Sequence, residues 1–232
     1  MKKYIFTFLV ALVIFSCSSE KEGNMKVSGT IKGLKKGKLY LQKVLDSTIV
    51  SVDSVTLLDK NTFTLVDNIE TPQVYFLTFD GNNKSQSIRF FGEEGSITIN
   101  SDVDLFEIGA EITGSKNQEV MEQYLKVKKF SNKNLDFVKR EFDLRKANKA
   151  DSLEILQKQY ENHIKRRYLY TTNFALNNKD YEVAPYLALT ELYDANITLL
   201  DTINNSLTDN VKSSVYGKEL EKFIQERKEL GQ

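Results

Sequence analysis

From Met25 to about Gly114, apolar and polar positions alternate with a period of two, the pattern of half-buried strands. Val27, Gly29 and Ile31 alternate with Lys26, Ser28, Thr30 and Lys32, and the stretch 33–37, with a glycine at each end, reads as a turn. Leu39 and Leu41 alternate with Lys38 and Gln42, and runs at 49–58, 62–66, 74–79, 87–91 and 96–100 read as further strands. The run Val74-Tyr75-Phe76-Leu77-Thr78-Phe79 is apolar on both faces, which predicts a central position in a sheet. Pro72 stands just ahead of it, where a strand can begin without an amide donor. Asp59-Lys60-Asn61 and Gly81-Asn82-Asn83 carry turn chemistry, and Glu93-Glu94 between Gly92 and Gly95 reads as a hairpin turn. So many short strands in about ninety residues predict an antiparallel β-sandwich or open barrel.

From about Ser115 the period changes to 3.6. Ser115 can cap a helix through Val120, Met121, Tyr124, Leu125 and Lys128, and Leu135, Val138 and Phe142 mark a second. The clearest helix covers 151–177, with Leu153, Leu156, Tyr160, Ile164, Tyr168 and Thr171 on one stripe and Asp151 or Ser152 as its cap. Pro185 fits a first helical turn leading to Leu189, Leu192 and Tyr193. Runs at 199–207 and 218–228 follow, with Gly217 as a break. The expected fold class is α+β, a β domain at 25–114 followed by a helical region at 115–232. No Gly/Ser or Pro-rich linker divides the two, so they should pack together.

The first residues follow neither period. Lys2 and Lys3 precede an uncharged apolar run at 4–16, which as a helix would rise only about 20 Å against a hydrocarbon core of ~30 Å. Residues 1–16 therefore read as a signal peptide. The run ends Val13-Ile14-Phe15-Ser16-Cys17-Ser18-Ser19, which resembles a lipobox, with an aliphatic residue three before the cysteine and a small one immediately before it. A thiol is the group that takes a thioether-linked diacylglycerol, and Cys17 is the one cysteine in the chain. Cleavage before Cys17 and lipidation of its sulfur are expected, leaving 17–24 as a tether. Palmitate-type chains contribute about 0.8 kcal/mol per buried CH₂, so two or three hold where one is marginal. Ser18 in place of an acid favours the outer membrane by the sorting rule for Gram-negative lipoproteins. Glu20-Lys21-Glu22 faintly resembles a surface-export tract, which leaves both the periplasmic and the cell-surface face open.

Charge and cysteine content narrow the partners. The whole chain has 32 Lys+Arg and 32 Asp+Glu; removing 1–16 takes two lysines, so the remainder is slightly acidic. No basic run suits a phosphate backbone, and export argues independently against nucleic acid. With Cys17 consumed by lipid, neither a disulfide nor a thiol redox couple is expected.

Gly29-Thr30-Ile31-Lys32-Gly33-Leu34, Gly37-Lys38-Leu39-Tyr40-Leu41, Val52-Asp53-Ser54, Phe63-Thr64-Leu65 and Pro72-Gln73-Val74-Tyr75-Phe76-Leu77 occur in this order over 25–114. In content and spacing this stretch resembles the DUF4369-type domain of unknown function. That domain precedes TlpA/ResA-like thioredoxin domains in Bacteroidetes lipoproteins. Asn61 stands where that family usually carries Gly before Phe63, and Asn tolerates positive φ better than most residues. The helical half resembles the family's connecting segment, ending Ser214-Val215-Tyr216-Gly217-Lys218-Glu219-Leu220. The sequence ends at Gln232 with neither the thioredoxin opening nor a Cys-x-x-Cys pair. The resemblance thus implies the accessory region without the redox engine, and the family's chemistry carries over to no residue here.

The remaining candidates for chemistry are weak. His163 is the one histidine and has no cysteine or second histidine near it in sequence, so it reads as a helix-surface or boundary residue. Asp102, Asp104 and Glu107 lack the spacing and glycine of a calcium loop, and no metal or cofactor is expected. Gly-x-Ser-x-Gly and the P-loop pattern are absent. Tyr160, Tyr168, Tyr186 and Tyr193 read as core, whereas Tyr170 and Tyr181 fit the helical stripe least and are expected nearer the surface. Asp46-Ser47-Thr48, Asp53-Ser54-Val55, Asp151-Ser152-Leu153 and Asp201-Thr202-Ile203 resemble an acceptor used for O-glycosylation of exported proteins, which nominates Ser47, Ser54, Ser152 and Thr202. Asp-Ser is equally ordinary turn and cap chemistry. The expectation is a non-enzymatic, lipid-anchored envelope protein acting as a binding or scaffold module. The alternatives are an accessory subunit served by a thioredoxin partner in another chain, and a surface glycan- or ligand-binding protein.

Overall fold

In the computed structural model, residues 22–45, 47–80, 86–131 and 134–231 are described, and Cys17, Asp46 and the 81–83 turn lie outside them. Among the described residues the strands come first: β1 (Met25–Lys32), β2 (Lys36–Leu45), β3 (Thr48–Leu58), β4 (Thr62–Asp67), β5 (Gln73–Phe79), β6 (Ile88–Gly92), β7 (Gly95–Asp102) and β8 (Glu111–Thr113). They pair as two four-stranded sheets, β4-β1-β7-β8 and β3-β2-β5-β6. The inward members of the alternating pattern, among them Val27, Ile31, Leu39, Leu41, Leu65, Leu77 and Ile97, fill the space between the sheets. The sandwich is antiparallel except for β1 and β7, which run parallel with Val27 opposite Ile97. Parallel partners need a long crossover, supplied here by β2 to β6.

Gly29 lies within the parallel pair. A Cβ there would stand 1.8 Å from the Ile99 carbonyl oxygen, so the approach of β1 to β7 depends on a residue without one. β5 is central in its sheet, as its two-sided apolar run predicts. Tyr75 and Leu77 face the sandwich core, and Val74 and Phe76 face the helices.

The helices are α1 (Lys116–Ser131), α2 (Asn134–Lys146), α3 (Ala150–Asn177), α4 (Val183–Glu191), α5 (Ile197–Ser206), α6 (Asp209–Ser213) and α7 (Val215–Glu229). Ala175, Ala184, Leu192, Leu200, Ile203 and Leu220 form a second core among α3, α4, α5 and α7. A third cluster joins the halves, with Val74 and Phe91 of the sheet packed on Val120, Met121, Tyr124 and Leu187. The layout is α+β with the two regions in contact. No helix among the described residues is long and apolar enough to cross a membrane.

Several local expectations change. Glu93 and Glu94 do not turn a hairpin, because β6 and β7 belong to different sheets. Gly217 does not break a helix but sits in the first turn of α7, where a Cβ would stand 2.1 Å from the Val211 carbonyl oxygen. α3 starts after Lys149 with no side-chain cap, two or three residues earlier than an Asp151 or Ser152 cap would place it. Tyr170 and Tyr181 pack into the third cluster, while Tyr193 is exposed. Val103–Leu105 form a short 3-10 turn whose first amides are met by Asp102, its carboxylate accepting from the Asp104 N–H. Leu135, Val138 and Phe142 do lie on one helix, yet their side chains face solvent.

Candidate functional site

β6 is the edge of one sheet and β8 the edge of the other, and α1 packs against both. Between them lies a groove of about 620 Å³. Ile112 from β8, Met121 and Leu125 from α1, and Tyr186 from α4 supply its apolar wall, while Ile88 and Phe90 turn their side chains into the sandwich core beneath it. Arg89, Glu107, Glu111 and Glu122 supply its charge, three carboxylates against one guanidinium. A concave surface that mixes apolar side chains with a few convergent charged groups is a common form of binding site.

The strand edge inside the groove has unused ladder capacity. Phe91 turns its N–H away from β5 and donates it to Gln118 Oε1 at 3.0 Å, so an α1 side chain takes the place of a neighbouring strand. Backbone direction alternates along a strand, so Arg89 presents its N–H and C=O to the same side. Neither group has a hydrogen-bond partner among the described residues.

The start of α1 fixes this geometry. Ser115 Oγ accepts from the Gln118 N–H at 3.1 Å, as its capping role predicts. Glu93 accepts from the Lys116 N–H at 2.6 Å and the Asn117 N–H at 3.2 Å. A carboxylate at a helix N-terminus satisfies free amides and complements the helix dipole. Asn117 Nδ2 then donates to both Glu93 Oε2 and Glu182 Oε2, at 3.0 and 2.9 Å, while its Oδ1 accepts from the Val183 N–H at 3.1 Å. Burial pushes the Glu182 carboxyl above its ordinary range, and the nearby Glu93 charge adds to the shift. The two acids are bound up in positioning α1 and α4 beside the sheet.

The residues nominated from sequence are not gathered there. Ser47 is exposed in the β2–β3 turn at a positive φ of 65°. Ser54 is half-buried in β3, where Asp53 bridges its own strand to the facing sheet by accepting from the Ser54 and Val66 N–H groups. Ser152 is half-buried in the first turn of α3, and exposed Thr202 of α5 donates its hydroxyl to the Thr198 carbonyl. His163 packs its ring against Phe137, centroids 5.4 Å apart. No group of three or more His, Cys, Asp or Glu with metal-binding geometry occurs among the described residues. Nothing in the sequence pattern marks Arg89, Gln118 or Glu182, and Glu93 reads there as a turn residue and not as a cap. A carboxylate 23 residues ahead of the amides it caps leaves no local pattern.

Residues 25–121 match the family model described as Domain of unknown function (DUF4369). The match covers the sandwich and the opening turns of α1, including every β6, β8 and early α1 residue of the groove. No curated protein and no solved structure matches the chain.

Proposed function

We propose that this chain is a lipid-anchored, non-catalytic binding module of the cell envelope, held by acyl chains on Cys17, with the groove between β6, β8 and α1 as its binding surface. The observation that carries the reading is the unpaired Arg89 backbone facing a groove that sets Ile112, Met121 and Leu125 beside three carboxylates. An extended polypeptide of a partner protein can continue the β6 ladder there, its main chain supplying affinity and alternate side chains supplying selectivity. The hydroxyls at the groove belong to Thr113 and Tyr186, and no thiol or imidazole lines it, so no nucleophile–base pair stands beside the carboxylates and the reading favours recognition over turnover. The lipobox-like end of the leader supports the anchor, and the slightly acidic remainder supports a partner other than nucleic acid.

A photo-crosslinking residue at position 122, in intact cells, should trap one discrete adduct that a crosslinker at exposed Lys212 does not. Arg89→Pro, which removes the outward amide at an edge position, should abolish it. Absence of an adduct, or one indifferent to Arg89→Pro, would refute the groove. An adduct containing a thioredoxin-like chain would select the accessory-subunit alternative. The glycan alternative is disfavoured because Phe90 and Phe91 are each 1% exposed and offer no ring face for a sugar. The anchor is tested separately: Cys17→Ser should move the protein out of the lipid-modified membrane fraction.

A further inference from the structure

α2 presents an apolar face that nothing among the described residues covers. Leu135, Val138 and Phe142 are 81%, 62% and 67% exposed. A helix advances about 100° per residue, so Val138 and Phe142 lie within about 60° of Leu135, and Lys139 and Lys146 lie within about 40° on its other side. Phe137 and Leu144, on the opposite side of the helix, are the residues turned toward α3, with Phe137 against Tyr160 at a centroid distance of 5.3 Å. Lys139 and Lys146 are exposed and have no ion-pair partner among the described residues. Three large apolar side chains in a row, bordered by free ammonium groups, form the kind of surface patch that marks an interaction site.

We propose that this face of α2 lies on an anionic lipid surface, with Leu135, Val138 and Phe142 entering the headgroup region and Lys139 and Lys146 meeting lipid phosphates. Charge selects this occupant. A second copy docked by the same face would bring the same lysines toward each other, whereas an anionic bilayer neutralises them while taking up the apolar stripe. The reach is compatible with the tether, and on this point the inference rests on the lipid-anchor reading. Asn24 accepts from the Gly95 N–H, and Glu93 nearby caps Lys116, so the tether end and the start of α1 are neighbours. α1 is about 24 Å long, and residues 17–21 add a reach of up to about 17 Å, so the acyl chains and α2 can meet one lipid surface with α1 inclined toward it.

The test uses the chain from residue 22 onward, which contains every ladder and core described, without leader or lipid, so its outcome is independent of Cys17. It is sedimented with phosphatidylglycerol-rich vesicles and with pure phosphatidylcholine vesicles. Binding is expected to be at least about tenfold stronger on the anionic vesicles and to fall about fivefold for each of Lys139→Glu and Lys146→Glu. Phe142→Ser should weaken it as well, with hydrogen exchange slowed in α2 of the parent when vesicles are present. Unchanged thermal melts of the lysine variants would show that folding is intact. Equal affinity for both vesicle types, no binding, or binding indifferent to these substitutions would overturn the proposal. A dimer in sedimentation velocity that Phe142→Ser dissociates would overturn it too, by assigning the face to a second copy.

Discussion

Glu93 and Glu182 share one amide, the Asn117 side chain, whose Nδ2 donates to both carboxylates at 3.0 and 2.9 Å. Glu93 comes from the link between the two sheets and Glu182 from the approach to α4, so a single asparagine joins both to the first turn of α1. Glu182 is 4% exposed, and its carboxyl ionises above the ordinary 4.5 chiefly because burial disfavours the charge. At pH values below 4.5 this group is protonated in the folded and unfolded chains alike. As pH rises through the folded value, the folded state loses the advantage of holding the proton, and Glu182 contributes progressively less stability. Glu182→Gln keeps an oxygen for Asn117 and removes the titration. Its melting temperature relative to the parent should therefore climb from acid pH toward neutral. A gap that stays constant, or shrinks, across that range would contradict the assignment.

A second junction depends on one hydroxyl. β2 stops pairing with β5 at Lys43 and Tyr75, and the next amide on that side, Val74 N–H, donates to Tyr216 Oη of α7 at 3.0 Å. Burial holds the Tyr216 hydroxyl well above the usual tyrosine range, so it remains a neutral partner at any ordinary pH. Tyr216→Phe keeps the ring contacts with Phe91 and Tyr186 but leaves a buried amide unsatisfied. The expected loss is about 1–3 kcal/mol by urea unfolding. A loss below a few tenths would mean that another acceptor reaches Val74.

Within the sandwich, Asp67 is the shared partner of Lys43 and Tyr75, each at 2.6 Å. Lys43 and Asp67 side chains are both 16% exposed, and the Tyr75 hydroxyl is pushed far above its ordinary range by burial and then by Asp67. Asp67→Ala would strand an ammonium and a phenol in that interior, at a cost of about 3–5 kcal/mol. The double variant Asp67→Ala with Lys43→Met removes the uncompensated charge and should recover much of the loss in equilibrium unfolding. If the single and double variants are equally unstable, the pair is not energetically linked.

The elements that could be read from sequence are those whose partners are generic. The two-sided run at Val74 needs only some sheet on either side and some helix above it, so its central position followed from composition alone. The α1 start could be read because Ser115 caps an amide three residues away. The groove could not, because its defining contacts join Gln118 to Phe91 and Glu93 to Lys116, pairs brought together by the crossing between sheets. Gly217 misled for a similar reason. Its backbone continues a helix, and the residue type answers to the close approach of α6, which no local window contains.

Periodicity also reveals a stripe without saying what covers it. Leu156 on α3 and Phe142 on α2 both belong to helical apolar patterns, yet Leu156 is 4% exposed and Phe142 is 67% exposed. Leu156→Ala should therefore cost about 2–4 kcal/mol, the combined loss of apolar burial and the cavity it leaves. Phe142→Ser should change folding stability by no more than about 0.5 kcal/mol, since the ring already meets solvent. Paired urea titrations of the two variants, each without lipid present, measure both quantities in the same assay. A large loss for Phe142→Ser would mean that the ring is buried in solution against another copy or segment, and would remove the basis for placing it at a lipid surface. A small loss for Leu156→Ala would mean instead that α2 and α3 do not hold each other as a packed hairpin.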